Sequence, residues 1–257
     1  MPAEPTAVDL ADVHYLPQLV ADALGATVGE VVGLPLALAF RVTVGPSGAL
    51  FLSGLAPSVA ADGAECLGGR LEPVAPEHAS SSPGAFRLCP EAWDAAGDGM
   101  IGTGPVGLPV TSGAAVGFPD VMTVVAGTRP AYDRATRVAR LRDVLRTTAG
   151  RLASEVGPAV DWSVLKGLEG RSTAWLATAF DHVARTRSAV GAYLIDVADE
   201  IDDERIDQLG DGYVRAAEMW RELPAGGPVV AEEVHDLERA CVDWMRSAAD
   251  PPTRYAF

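Results

Sequence analysis

Positive charge is what this chain has least of. Its 257 residues carry 20 basic side chains against 35 acidic ones, a formal net charge of −15, and only one of the basic residues is a lysine, Lys166. Phosphate backbones are bound by Lys and Arg that displace counterions, so the shortage argues against nucleic acid or an anionic membrane as a partner. Scarce lysine beside plentiful arginine and alanine reads as the codon usage of a GC-rich bacterial genome, not as function. Long apolar runs are missing too. The longest, 31–40, contains Gly33 and Pro35 and falls far short of the roughly twenty residues a membrane helix needs. The opening residues, Met-Pro-Ala-Glu-Pro-Thr-Ala-Val-Asp, have neither a basic nor an apolar region, so no signal peptide is expected. Cysteine is rare. Cys66, Cys89 and Cys241 are odd in number and widely spaced, with no C-x-x-C, which suits a reducing cytoplasm and suggests neither a disulfide framework nor a zinc site.

What is present changes character near Arg129-Pro130. Before that point, apolar runs at 37–44, 50–52, 70–74, 106–111 and 121–126 alternate with Gly, Pro and Ser and read as strands. Short helical patterns lie between them, at 16–24, 57–67 and 90–96, and another opens at Thr27, where Glu30 three residues on completes a capping-box pattern. After Pro130 the period is helical: Val138, Leu141, Leu145, Thr148 and Leu152; then Ile206, Leu209, Tyr213, Ala216 and Trp220; then Val230, Val234, Leu237, Cys241, Trp244 and Ala248. Leu176, Phe180, Val183, Val190, Leu194, Val197 and Ile201 outline the longest predicted helix, with Arg187 breaking its stripe. Gly157-Pro158 and 224–228 are the clearest breaks. The fold class is therefore α+β, with an α+β part over 1–129 and four or five helices over 130–257.

Several motifs carry less chemistry than their spelling suggests. Gly102-Thr-Gly104-Pro-Val-Gly107 matches a dinucleotide fingerprint, but Pro105 and Pro109 flank a β-branched run, so a glycine turn feeding a strand is expected in place of a helix start. Residues 207–218 mimic an EF-hand loop, yet Leu209 and Arg215 stand where oxygen ligands belong, and the acidic run 199–207 reads as a solvated helix junction. Glu232-x-x-His235 lacks the second pair that a di-iron bundle requires, and Asp181-His182 are adjacent and diverge. No metal and no cofactor are expected. Cys66 or Cys89 with His78 as base would make a thiol nucleophile, although a free cysteine is more often a small core residue.

In order, the segments His14-Tyr15, Leu24-Gly25, 29–33, 37–40, 60–71, 104–110 and 121–127 resemble the family named for the butirosin biosynthetic acyltransferase, the BtrH-like proteins. The resemblance implies a papain-like N-terminal domain (1–129), a helical C-terminal domain (130–257) and a place in bacterial natural-product gene clusters. It also implies a cysteine nucleophile at a helix start and a histidine on a later strand. Tyr15 stands at the first position, and Val121, beside Asp120, at the second. A phenol with a pKa near 10 is a poor acyl acceptor without a base. The leading expectation is thus a cytoplasmic enzyme of antibiotic-type biosynthesis, a cofactor-independent cyclase or acyltransferase-like protein. His14, Tyr15 and Asp120 would act as proton donor, hydrogen-bond donor and carboxylate base, with Phe40, Trp93 and Trp162 lining the substrate cleft between the halves. Its substrate would be a small acyl or polyketide-like intermediate, free or carrier-protein-bound, and a homodimer is compatible with this. The alternatives are a binding or self-resistance protein, in which His14 caps the helix and Tyr15 plugs an empty cleft, and an intact cysteine enzyme.

Overall fold

The computed structural model describes residues 14–36, 38, 40–44, 50–54, 57–82, 84–88, 94–95, 100–103, 106–109, 121–154 and 173–251. Within them the chain is α+β. The N-terminal part contains β1 (His14–Tyr15), α1 (Leu16–Leu24), α2 (Val28–Gly33), β2 (Phe40–Val44), β3 (Leu50–Gly54), α3 (Pro57–Cys66) and β4 (Arg70–Pro73). A 3-10 turn (Pro76–Ser81) leads to β5 (Phe86–Leu88), β6 (Asp94–Ala95), β7 (Met100–Thr103), β8 (Val106–Pro109) and β9 (Val121–Val125). One sheet runs β1-β8-β5-β9-β4, antiparallel throughout; the other runs β2-β3-β7-β6, with β3 and β7 parallel. The glycine-rich 102–107 segment has a strand on either side, so the dinucleotide reading falls away. The helix expected over 90–96 is corrected at Asp94 and Ala95, which pair with Ile101 and Met100 in a sheet. Pairing with a neighbouring strand overrides local helical preference there.

Helix α1 buries Leu16, Val20 and Ala21 along one stripe and stops at Gly25, whose φ of +59° is easy only for a residue without a Cβ. Helix α2 starts on the capping box that the sequence announces. Thr27 Oγ1 accepts from the Glu30 amide at 3.1 Å, and Glu30 accepts from the Thr27 amide at 2.9 Å. Helices α1 and α3 pack on the larger sheet and α2 packs on both, closing a core around Val31, Ala60, Ala64, Leu67 and Phe86.

The C-terminal part consists, among the described residues, of α4 (Arg134–Ser154), α5 (Thr173–Ile201) and α6 (Glu204–Ala249). The helical span α6 covers 46 residues against 29 for α5, but it cannot be straight, so α5 remains the longest single run. Trp220 Nε1 lies 2.9 Å from Glu238 Oε1, although eighteen residues of straight helix would separate them by about 27 Å. A Cβ on Gly212 would meet the Cys241 sulfur at 2.9 Å and the Trp244 ring at 2.7 Å. The helical span doubles back between Leu223 and Val230 into two antiparallel legs, 204–223 and 230–249. That reversal coincides with the break read from the two prolines and two glycines of 224–228. At the α5–α6 corner, Asp202 takes φ +58° and Asp203 caps α6, accepting from the Arg205 amide at 3.2 Å. Asp203 is buried and also binds the Arg142 and Arg205 guanidinium groups, so the acidic junction is not wholly solvated. The supposed calcium loop is an uninterrupted helix with Leu209 and Tyr213 fully buried.

The two parts share a core. Tyr15, Val32, Leu36 and Leu38 pack with Leu145, Val190, Leu194, Ile206, Leu209, Tyr213 and Met245, across the change of character seen at Pro130. Helices α5 and α6 approach closely where Gly191 meets Gly210; a Cβ on Gly191 would lie 2.7 Å from the Gly210 carbonyl oxygen.

Candidate functional site

His14 and Tyr15 form the last step of the sheet before α1. His14 pairs with Gly107 and Tyr15 with Val106, and Tyr15 is the N-cap residue of α1 with Pro17 following. The helix-start position implied by the resemblance is therefore occupied by Tyr15. The cap is not His14, and the Tyr15 side chain makes no capping bond. It turns instead to the helical part. Tyr15 is 5% exposed, and its hydroxyl lies 2.6 Å from Thr186 Oγ1 on α5. Thr186 Oγ1 in turn donates to the His182 carbonyl at 3.0 Å. With that proton committed, Tyr15 is the donor of the short bond. Burial pushes its phenol above the ordinary tyrosine range, against the smaller opposing effects of the Thr186 bond and of Arg187 and Arg185. A proton-donating, buried, un-ionised phenol is a packing group with one fixed partner, and it is neither base nor nucleophile.

The strand that would carry the histidine, β9, lies in the same sheet as β1 with β8 and β5 between them. Three strand spacings amount to about 14 Å, so β1 and β9 do not form the two sides of a narrow cleft. Val121 is buried. Asp120, Trp93, Trp162 and Cys89 lie outside the described residues, and Phe40 is placed only as the first residue of β2, opposite Gly54.

A second polar group begins one residue further along α5, about 100° around the helix. Arg187, 2% exposed, donates from Nε to Glu238 Oε1 at 2.9 Å and from Nη2 to Oε2 at 3.4 Å, while Trp220 Nε1 donates to the same Oε1. Two cationic contacts and an indole thus hold one carboxylate between α5 and both legs of α6. Desolvation opposes the Arg187 charge, but Glu238 outweighs it and raises the guanidinium above its usual value. The Tyr213 hydroxyl nearby is buried without a hydrogen-bond partner, and burial drives both Tyr213 and Cys241 upward. The interrupted stripe at Arg187 was the sequence signal for this cluster. Thr186 and Glu238 gave none, because each falls at the edge of an ordinary amphipathic pattern.

The thiol reading gains little. Cys66 ends α3 half-buried, and burial pushes its thiol up. Arg140 lowers it, Asp62 and Glu65 raise it, and His78 is not among the groups acting on it. His78 is exposed on the 3-10 turn, where its carbonyl accepts from Ser81 and Ser82. His235 sits 3.5 Å from Asp236, and no metal-holding group of three His, Cys, Asp or Glu exists among the described residues. Among those residues, too, no helix is long and apolar enough to cross a membrane. No protein-family model matches the chain, and no curated protein sequence matches it.

Proposed function

We propose that the chain is a BtrH-like, papain-related scaffold of bacterial specialised metabolism that holds a small acyl or polyketide-like intermediate without forming an acyl-enzyme. The observation that carries this reading is the Tyr15–Thr186 bond. The residue at the helix start, where the resemblance puts a nucleophile, is buried and tied to α5. Support also comes from the strand-to-helix corner at 14–16 and from the core shared with the helical half. Of the two leading sequence readings, catalysis by a His14–Tyr15–Asp120 trio loses Tyr15 as an accessible group. The binding or self-resistance reading, with Tyr15 filling the cleft, gains. Cys66 and Cys241, both unpaired, fit a cytoplasmic setting.

The test is incubation of the purified chain with hexanoyl and longer acyl thioesters of N-acetylcysteamine, followed by thermal denaturation and intact mass. The expected result is a raised Tm with an unchanged protein mass and an intact thioester. An added acyl mass, or consumption of the thioester, overturns the non-covalent reading. The absence of any Tm shift across chain lengths overturns acyl binding.

A further inference from the structure

The little positive charge in this chain is not spread evenly. Helix α4 holds six arginines and a single acid, Asp143, among its 21 residues, in a chain whose net charge is −15. The structure divides those arginines by task. Arg142, 18% exposed, binds Asp203, and Arg146 reaches the Ala249 carbonyl at 3.1 Å, so both fasten α4 to the two ends of α6. Arg137 pairs with Glu200 of α5 yet keeps half of its side chain exposed. Arg134 and Arg140 have no acidic partner among the described residues. Arg140 instead donates to the Tyr132 hydroxyl at 2.7 Å, with its guanidinium 4.4 Å from the centre of that ring.

Arg134, Arg137 and Arg140 follow one another at three-residue steps, a row about 9 Å long that turns back by only about 60° per step. All three are exposed, as is the whole of 134–140 apart from half-buried Val138; burial along α4 begins at Leu141. Tyr132, at 37%, is the one large apolar side chain exposed among the described residues, and it stands just before the row. Three cations in the first two turns lie against the helix dipole and against one another, and no acid stands in the first turn. The stability of the helix does not account for them. The amides at the start of α4 are served separately by Asp133, which accepts from the Thr136 amide at 2.7 Å, so the feature is the side-chain row and not the helix end.

We propose that this row is a docking surface for an acidic helical segment of a partner protein, one that carries carboxylates at three- and four-residue spacing. Charge complementarity selects the occupant. A chain of net charge −15 repels such a segment over most of its surface and accommodates it where the arginines stand, so the repulsion elsewhere supplies the orientation. Guanidinium groups match carboxylates in paired hydrogen bonds, and arginine beside an exposed tyrosine is the composition that carries binding energy at protein interfaces. A nucleic acid, charged along its whole length, would run past the row onto the acidic surface around it. The proposal goes beyond the acyl-binding reading and does not rest on it.

The probe is a fluorescein-labelled helical peptide of about eighteen residues with glutamates at i, i+3, i+4 and i+7 on one face. It is titrated with the full chain and followed by anisotropy at about 20 and about 200 mM salt. Binding is expected at low salt, about tenfold weaker at the higher salt, and absent for a peptide with glutamine in place of each glutamate. Arg134→Gln/Arg140→Gln should weaken it about fivefold to tenfold, since two exposed charge pairs are lost. The same change at an exposed arginine of α6, Arg215→Gln, should leave it as it was. All three side chains are exposed, so folding is not at stake. No binding at low salt, an unchanged affinity in the double variant, or an equal loss in Arg215→Gln overturns the proposal. Equal affinity for an oligothymidylate of the same charge overturns it too, because the row would then be a general polyanion site.

Discussion

Thr186 and Arg187 are consecutive on α5, both are buried, and they face opposite partners in opposite ways. Thr186 meets the sheet through Tyr15 in a joint that carries no formal charge. Arg187 meets α6 through Glu238 and Trp220 in a joint that is fully ionic. A charged joint deep in a bundle is held by mutual neutralisation, so losing one partner strands the other in a low-dielectric interior. A neutral joint has only a modest net hydrogen-bond energy at stake, so its partners can be exchanged with little loss. Of these two polar joints, the ionic one within the helical part has the more to lose and the neutral one to the sheet the less.

The largest effect should come from breaking the ionic joint. Arg187→Met leaves Glu238 without its cation and is expected to cost about 3–5 kcal/mol in urea unfolding. The double change Arg187→Met/Glu238→Leu should recover most of that loss, because an apolar pair of similar volume fits a dry site. If the double variant is as unstable as the single one, the cluster does more than neutralise charge.

The next effect is pH-dependent and belongs to the neutral joint. Burial holds His182 at about 4 in the folded chain against the ordinary 6.5 of an imidazole, so the unfolded chain binds more protons between those values. Its contribution to stability is therefore complete above 6.5 and is lost progressively as pH falls towards 4. His182→Gln should flatten that part of the urea-midpoint profile. Glu30 and Asp203, whose carboxyls are held below the usual range by their hydrogen bonds and by Arg129 and by Arg205 with Arg142 respectively, lose their contributions at lower pH still. A profile equally steep in His182→Gln would contradict the neutral buried imidazole.

The smallest effect concerns a hydroxyl. Tyr213→Phe removes an oxygen that is buried without a hydrogen-bond partner. The change should be neutral or stabilising by up to about 1 kcal/mol in thermal unfolding, whereas loss of a satisfied hydroxyl would destabilise by a similar amount.

Much of the local structure was readable because its causes are local. The Thr27–Glu30 box, the 16–24 stripe and the runs that became β2, β3, β4, β8 and β9 each carry their own signal within a few residues. The doubling-back of α6 was readable from two prolines and two glycines. Strands β5 and β7 were missed because they are short and are defined by neighbours remote in sequence. The strand order that sets β1 and β9 apart, and the meeting of Tyr15 with Thr186 across 171 positions, follow from tertiary packing that no window of sequence contains. His182 was weighed only with its neighbour Asp181 as a metal pair, and the Tyr15 ring that it packs against comes from the other end of the chain.

The account depends on position 15 being a working joint between sheet and helix. The direct measurement is a double-mutant cycle with Tyr15→Phe, Thr186→Val and the pair, read by urea unfolding at neutral pH. A coupling energy of about 1 kcal/mol is the predicted result. Strict additivity would mean that the two hydroxyls do not meet in the folded protein, and would contradict the account.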